Sequence, residues 1–102
     1  RWGSSSTRAQ NDKIATSYEA KGYRVTGGAG RASEEWIPGA GGSTKGGSFV
    51  DITATKGGKT VRIQTVTTKA DGITPTASET AAANRIRAAF PNDDLILIPK
   101  GT

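Results

Sequence analysis

Apolar positions recur at helical spacing only near the two ends of the chain. Ile14, Ala15 and Tyr18 share one face of a helix predicted from about Thr7 to Lys21. Thr7-Arg8-Ala9-Gln10 fits a capping box, and Gly22 stops the helix with Lys21 in its last turn. Ala82, Ile86, Ala89 and Phe90 line a second helix, opened by the capping box Thr76-Ala77-Ser78-Glu79 and stopped by Pro91. Between the helices the pattern turns β-rich: a short strand at Tyr23–Thr26, then two runs, Ser48–Thr55 and Thr60–Val66. Leu95–Ile98 is a continuous apolar run, the pattern of a strand covered on both faces.

The two runs flank Gly57-Gly58, a strong signal for a two-residue hairpin. That turn pairs Lys56 with Lys59, and counting back sets Ile52 opposite Ile63, Asp51 opposite Gln64 and Val50 opposite Thr65. Opposed residues share a face with Cβ atoms about 5 Å apart. Asp51 and Gln64 are therefore expected side by side in the middle of an apolar hairpin. A charge there is costly unless it is paired or metal-bound, which makes Asp51 a candidate functional residue. The order α-β-β-β-α-β, with the last strand reached through a helix, predicts an α/β fold with a mixed sheet of about four strands.

At 102 residues the chain is one small domain, residues 1–102, with 33% hydrophobic content. It has no cysteine and no histidine, which excludes disulfides, thiolate or imidazole metal sites and the usual serine triad. Chemistry must run on carboxylates, amides, hydroxyls, Lys and Arg, or on a hard cation such as Mg²⁺. The net charge is +5, and residues 1–69 carry 11 basic and 5 acidic groups, a local balance of +6. A basic stretch beside an acidic candidate suggests a polyanionic partner, although a basic domain without such a ligand fits the same count. No run approaches the roughly 18 apolar residues that would suggest a membrane span. The opening RWGSSST carries no initiator Met and no signal-peptide pattern. It reads as the start of an excised terminal domain, with residues 1–6 a linker.

Residues 27–47 hold 8 glycines in 21 positions. Trp36 and Ile37 punctuate this stretch, so it reads as a loop of close backbone approach with a short strand near Glu34–Ile37. Gly28–Arg31 lacks the Gly-Lys-Ser/Thr ending of a phosphate loop. Arg24, Arg31 and Lys45 on strand ends or the glycine segment, with Arg85 and Arg87 on the second helix, are candidate phosphate contacts or a solvated face. Tyr18, Tyr23 and Trp36 could stack on bases, the tyrosines fitting a core equally well. Lys56 and Lys59 flank a hairpin tip and read as solubilising.

With its acid in the second strand and a polar partner in the third, the chain from Thr7 to Lys100 resembles the PD-(D/E)xK nuclease superfamily, the restriction-endonuclease-like fold. That resemblance implies that Asp51 is the family aspartate, that Gln64 stands in the acidic place of the third strand, and that Glu19 is the accessory helix acid. The triplet here is Gln64-Thr65-Val66 rather than Glu-x-Lys. Lys69 is the implied replacement for the lysine if the chain bends back, and Glu35 for the missing charge. The segments GGSFVDITAT, TVRIQTVTT, ADGITPT and LILIPK also resemble C-terminal toxin domains of contact-dependent growth inhibition and Rhs proteins. Membership implies a carrier protein N-terminal to this fragment, delivery from the surface of one bacterium and action in the cytoplasm of another. It also implies a nucleic-acid substrate, tRNA favoured over DNA, and a cognate immunity protein.

Three readings follow. In the first, a Mg²⁺-like divalent cation held by Asp51, Gln64 and a glutamate activates water against a phosphodiester, with Lys69 or an arginine stabilising developing charge. In the second, a ribonuclease works without metal through Lys, Arg, Gln and Thr. In the third, the domain only binds nucleic acid and Asp51 is structural.

Overall fold

The computed structural model describes residues 5–39 and 47–101. Its organising event is the Gly57-Gly58 reversal. Both glycines have positive φ, 55° and 83°, the conformation whose twist matches that of the flanking strands. The turn joins β4 (Ile52–Lys56) to β5 (Lys59–Val66) and sets Lys56 opposite Lys59 and Ile52 opposite Ile63, as the count from the turn predicts.

β1 (Arg24–Gly28) runs antiparallel to β4 on one side. On the other, β5 pairs in parallel with β6 (Asp94–Pro99), reached through α2 (Ala77–Ala89). The order β1-β4-β5-β6 gives the expected mixed four-stranded sheet of an α/β fold. β6 is one of its two edges, and its residues are only half-buried, apart from an exposed Asp94, rather than covered on both faces. α1 spans Ser5–Ala20 and starts before the anticipated Thr7 cap. Gln10 does not close a capping box: its amide donates to the Pro99 carbonyl (2.9 Å) and its carbonyl accepts from Gly101 N–H (3.0 Å). The C-terminal strand end outcompetes the local cap.

Two strands stand beyond the order α-β-β-β-α-β: the short one anticipated near Glu34–Ile37 forms, and another comes from a split. Ser48–Thr55 is not one strand but two, broken at Asp51. β3 (Ser48–Val50) turns away from the main sheet and pairs antiparallel with β2 (Glu35–Ile37), so Val50 faces Glu35 rather than Thr65. The main sheet buries its faces against different partners. On one, Ile14, Ala15 and Tyr18 of α1 pack on Val25, Ile52, Ala54, Val61, Ile63, Ile96 and Ile98. On the other, Ile37, Val50, Ile86, Phe90 and Leu95 form a second cluster beneath α2 and the β2–β3 pair. Tyr18 and Tyr23 belong to the first cluster and meet edge to face with centroids 5.2 Å apart. Among the described residues no helix is long and apolar enough to cross a membrane.

Candidate functional site

Gly28, Ile52, Val66 and Pro99 lie at one end of the sheet, the end away from the Gly57-Gly58 turn. Asp51 sits on this rim, at the bend between β3 and β4. Two side chains hold the bend where ladder bonds stop. Gln64 Oε1 accepts from Asp51 N–H at 2.6 Å, and Gln64 Nε2 donates to the Phe49 carbonyl at 3.3 Å. In return, Asp51 Oδ2 accepts from both Thr65 N–H and Thr65 Oγ1, each at 2.9 Å. The chain also passes close by: a side chain on Gly28 would run into the Asp51 carbonyl.

Asp51 and Gln64 are thus neighbours, as their spacing predicts, but they do not project side by side. Alternation along β5 puts Gln64 and Thr65 on opposite faces. The Asp51 carboxylate goes with Thr65 and the Gln64 amide with Phe49. The ladder that would have aligned them ends at Ile52–Ile63, because β3 leaves to pair with β2.

The other anticipated residues are dispersed. Glu35 lies over the Thr53–Arg62 pair, where its carboxylate takes Arg62 Nε at 2.7 Å, Arg62 Nη2 at 3.3 Å and Thr53 Oγ1 at 3.1 Å. Glu19 accepts from Arg31 Nη2 at 3.1 Å, and Arg31 also holds Asp12, Thr16 Oγ1 and the Ala29 carbonyl. Arg31 is therefore spent on α1, not offered to a ligand. Its guanidinium is held above its ordinary range by the hydrogen bonds of Glu19 and then Asp12. Arg24 pairs with Thr55, toward the hairpin tip and away from Asp51. Arg85 donates to Ser48 Oγ (3.0 Å), tying α2 to β3, and Arg87 is exposed on α2 beside Asn84. Lys45 lies outside the described residues, as do residues 1–4 of the anticipated linker. At Lys69 the chain makes a local turn, with Gly72 N–H on the Lys69 carbonyl and Lys69 N–H on the Thr74 carbonyl, which sets Thr68 opposite Pro75. The exposed Lys69 ammonium makes no hydrogen bond or ion pair among the described residues.

Four residues take roles that the sequence reading did not assign to them. Thr65 is the partner of Asp51, and its hydroxyl two positions from Ile63 on the same face was the available signal. Arg62 is buried at 5% exposure between Glu35 and Asp93 (2.6 Å), over the Phe90 ring. Burial works against its charge, but Glu35 and Asp93 outweigh that and hold the guanidinium above its ordinary range. A lone arginine inside the apolar run Val61–Val66 was the sign. Glu79 contributes only half of the expected capping box. Its N–H reaches the Thr76 hydroxyl, while its carboxylate accepts from Thr67 N–H at 2.6 Å and ties α2 to the end of β5. Asn11, on the face of α1 that carries Ala15, is buried with Oδ1 unpartnered among the described residues. A buried unpaired acceptor of this kind needs an explanation.

These donors do not fit a divalent cation as arranged. Gln64 Oε1 and one Asp51 oxygen already accept backbone N–H groups, Glu35 and Glu19 are held by arginines elsewhere, and among the described residues no three acidic groups gather. What the rim offers chemically is a half-buried carboxylate that accepts from Thr65 N–H and Thr65 Oγ1. The chain matches no family model, no curated protein and no solved structure.

Proposed function

We propose that this domain is a nuclease acting on RNA, a toxin of competition between bacteria, with the Asp51 rim as its active centre. The observation that carries the proposal is the setting of Asp51. A carboxylate is held on a sheet rim by Thr65 N–H and Oγ1, while Gln64 Oε1 holds the Asp51 backbone N–H, in a chain of net charge +5. Such a carboxylate can act as a general base, and a basic chain attracts a polyanion.

RNA supplies a nucleophile in its own 2′-hydroxyl, one that a carboxylate general base can activate without a cation. In the proposed reaction Asp51 takes the 2′-hydroxyl proton and the 2′-oxygen bonds to phosphorus. The P–O5′ bond breaks, and the leaving oxygen takes a proton from Lys69 or water. The products are a 2′,3′-cyclic phosphate and a free 5′-hydroxyl. Lys69 also offsets charge on the phosphoryl oxygens. DNA, lacking the 2′-hydroxyl, is not a substrate.

The test incubates the purified domain with tRNA and with linear DNA, with and without a chelator. The expected result is RNA cleavage that survives chelation and leaves cyclic-phosphate ends. Removal of a general base lowers rates by about 10²–10⁴-fold, so Asp51→Ala should lose activity on that scale. Cleavage of DNA that stops on chelation, or parental RNA cleavage by Asp51→Ala, overturns the proposal.

A further inference from the structure

A cleft of about 300 Å³ lies between the first turns of α1 and the C-terminal end of the chain, bordered by Thr7, Gln10, Lys13, Ile14, Lys100 and Gly101. We propose that it is a second binding site, holding one nucleotide unit of a single-stranded RNA whose scissile bond lies at Asp51. The proposal rests on the nuclease reading for the identity of the strand, but its own support is separate.

Volume is the first support, since pockets for small ligands begin at about 300 Å³. Charge is the second. Four of the described cations are already engaged: Arg31 and Arg62 on carboxylates, Lys59 on Asp94 and Lys56 on the Lys21 carbonyl. Lys13 and Lys100 are exposed on the two walls of the cleft, and neither ammonium has a hydrogen bond or ion pair among the described residues. Two unspent ammonium groups facing one concavity suit a phosphate, while Ile14 and Ala9 offer an apolar surface to a base or sugar.

Position is the third. Gln10 clasps Pro99 and Gly101, and Lys100 N–H donates to the Val66 carbonyl at 2.9 Å, so the cleft is built onto the end of β5. Thr65, which holds Asp51, is the residue before Val66. The cleft and the Asp51 rim therefore occupy the same end of the sheet, within reach of one strand. Gln10 thereby ties the two walls of the cleft to each other.

The test is fluorescence anisotropy of a labelled single-stranded RNA across a salt series, using the full domain carrying Asp51→Asn to limit cleavage. Neutralising two phosphate contacts on a single strand changes the slope of log affinity against log salt by about 1.4. Lys13→Gln with Lys100→Gln should reduce the slope by that amount and weaken binding roughly ten- to thirtyfold at 0.1 M salt. Lys56→Gln, at the opposite end of the sheet, should change neither. Competition by a mononucleotide, and not by inorganic phosphate alone, is expected if the cleft holds a whole nucleotide unit. Unchanged affinity and slope in the double variant, equal losses in Lys56→Gln, or no RNA binding at all overturns the proposal. Cleavage by the parent domain is scored separately on gels, so a failed nuclease reading and a failed cleft are told apart.

Discussion

At the scale of single residues, Asp51 and Gln64 exchange roles with the backbone rather than with each other. Gln64 needs both ends of its amide: Oε1 accepts from Asp51 N–H and Nε2 donates to the Phe49 carbonyl. A glutamate in its place would bring the acid of the nuclease pattern but set a carboxylate against a carbonyl oxygen. Leaving a buried polar group unsatisfied costs about 1–3 kcal/mol. Gln64→Glu should lose stability on that scale in urea denaturation and acquire no metal-dependent cleavage. A variant that gains magnesium-dependent activity would restore the cation reading. The nearness of these two residues was legible because turn chemistry sets register. Their divergence was not, because it depends on β3 choosing β2 as its partner, and nothing local to Asp51 encodes that choice.

At the scale of elements, buried charge stitches the small β2–β3 pair to the main sheet. Arg62 joins Glu35 of β2 to Asp93 ahead of β6, with its side chain 6% exposed. Removing one partner of a buried ion pair costs about 3–5 kcal/mol, and because Glu35 and Asp93 are each 31% exposed, the lower end of that range applies here. Arg62→Ala should therefore lower unfolding free energy by about that much. Lys59→Ala, which breaks a pair 57% exposed on both sides, should leave the denaturation midpoint where it was. The connection between β5 and α2 is held differently. Asp71 accepts from the Thr74 hydroxyl and from Ile73 and Thr74 N–H, and these bonds, the hydroxyl foremost, hold its carboxyl below the usual range. A depressed folded value means that the contribution is present above the ordinary aspartate range and lost as pH falls through the lowered one. Proteolysis of this connection should speed up in acid for the parent domain, whereas Asp71→Ala should be cut readily at neutral pH as well. Equal susceptibility of the two at neutral pH would remove Asp71 as the clasp.

At the scale of the whole molecule, β4 and β5 are covered by both layers. Ile52, Ala54, Val61 and Ile63 lie under α1, while Thr53, Arg62 and Gln64 are buried on the other side. Buried central elements open only in global unfolding. The slowest amide exchange should fall in β4 and β5, with β6 and the β2–β3 pair faster. Uniform protection across all six strands would contradict the layered burial. The same arrangement gathers Asp51, Thr65 and the Lys13–Lys100 cleft at one end of the sheet. β5 and β6 run parallel and end there, and β4 begins there.

Length, the helical spacings and the Gly57-Gly58 turn by themselves determined two helices, a hairpin of known register, a parallel crossover and hence an α/β fold. These follow from local periodicity and backbone sterics, which a chain carries wherever it folds. The tertiary structure alone decided that Ser48–Thr55 splits at Asp51, that Glu35 and Glu19 serve arginines, and that Gln10 abandons its cap for the C-terminal strand. Each is a competition between local and distant partners for the same polar group, and its outcome depends on what packing brings within about 3 Å, the reach of a hydrogen bond.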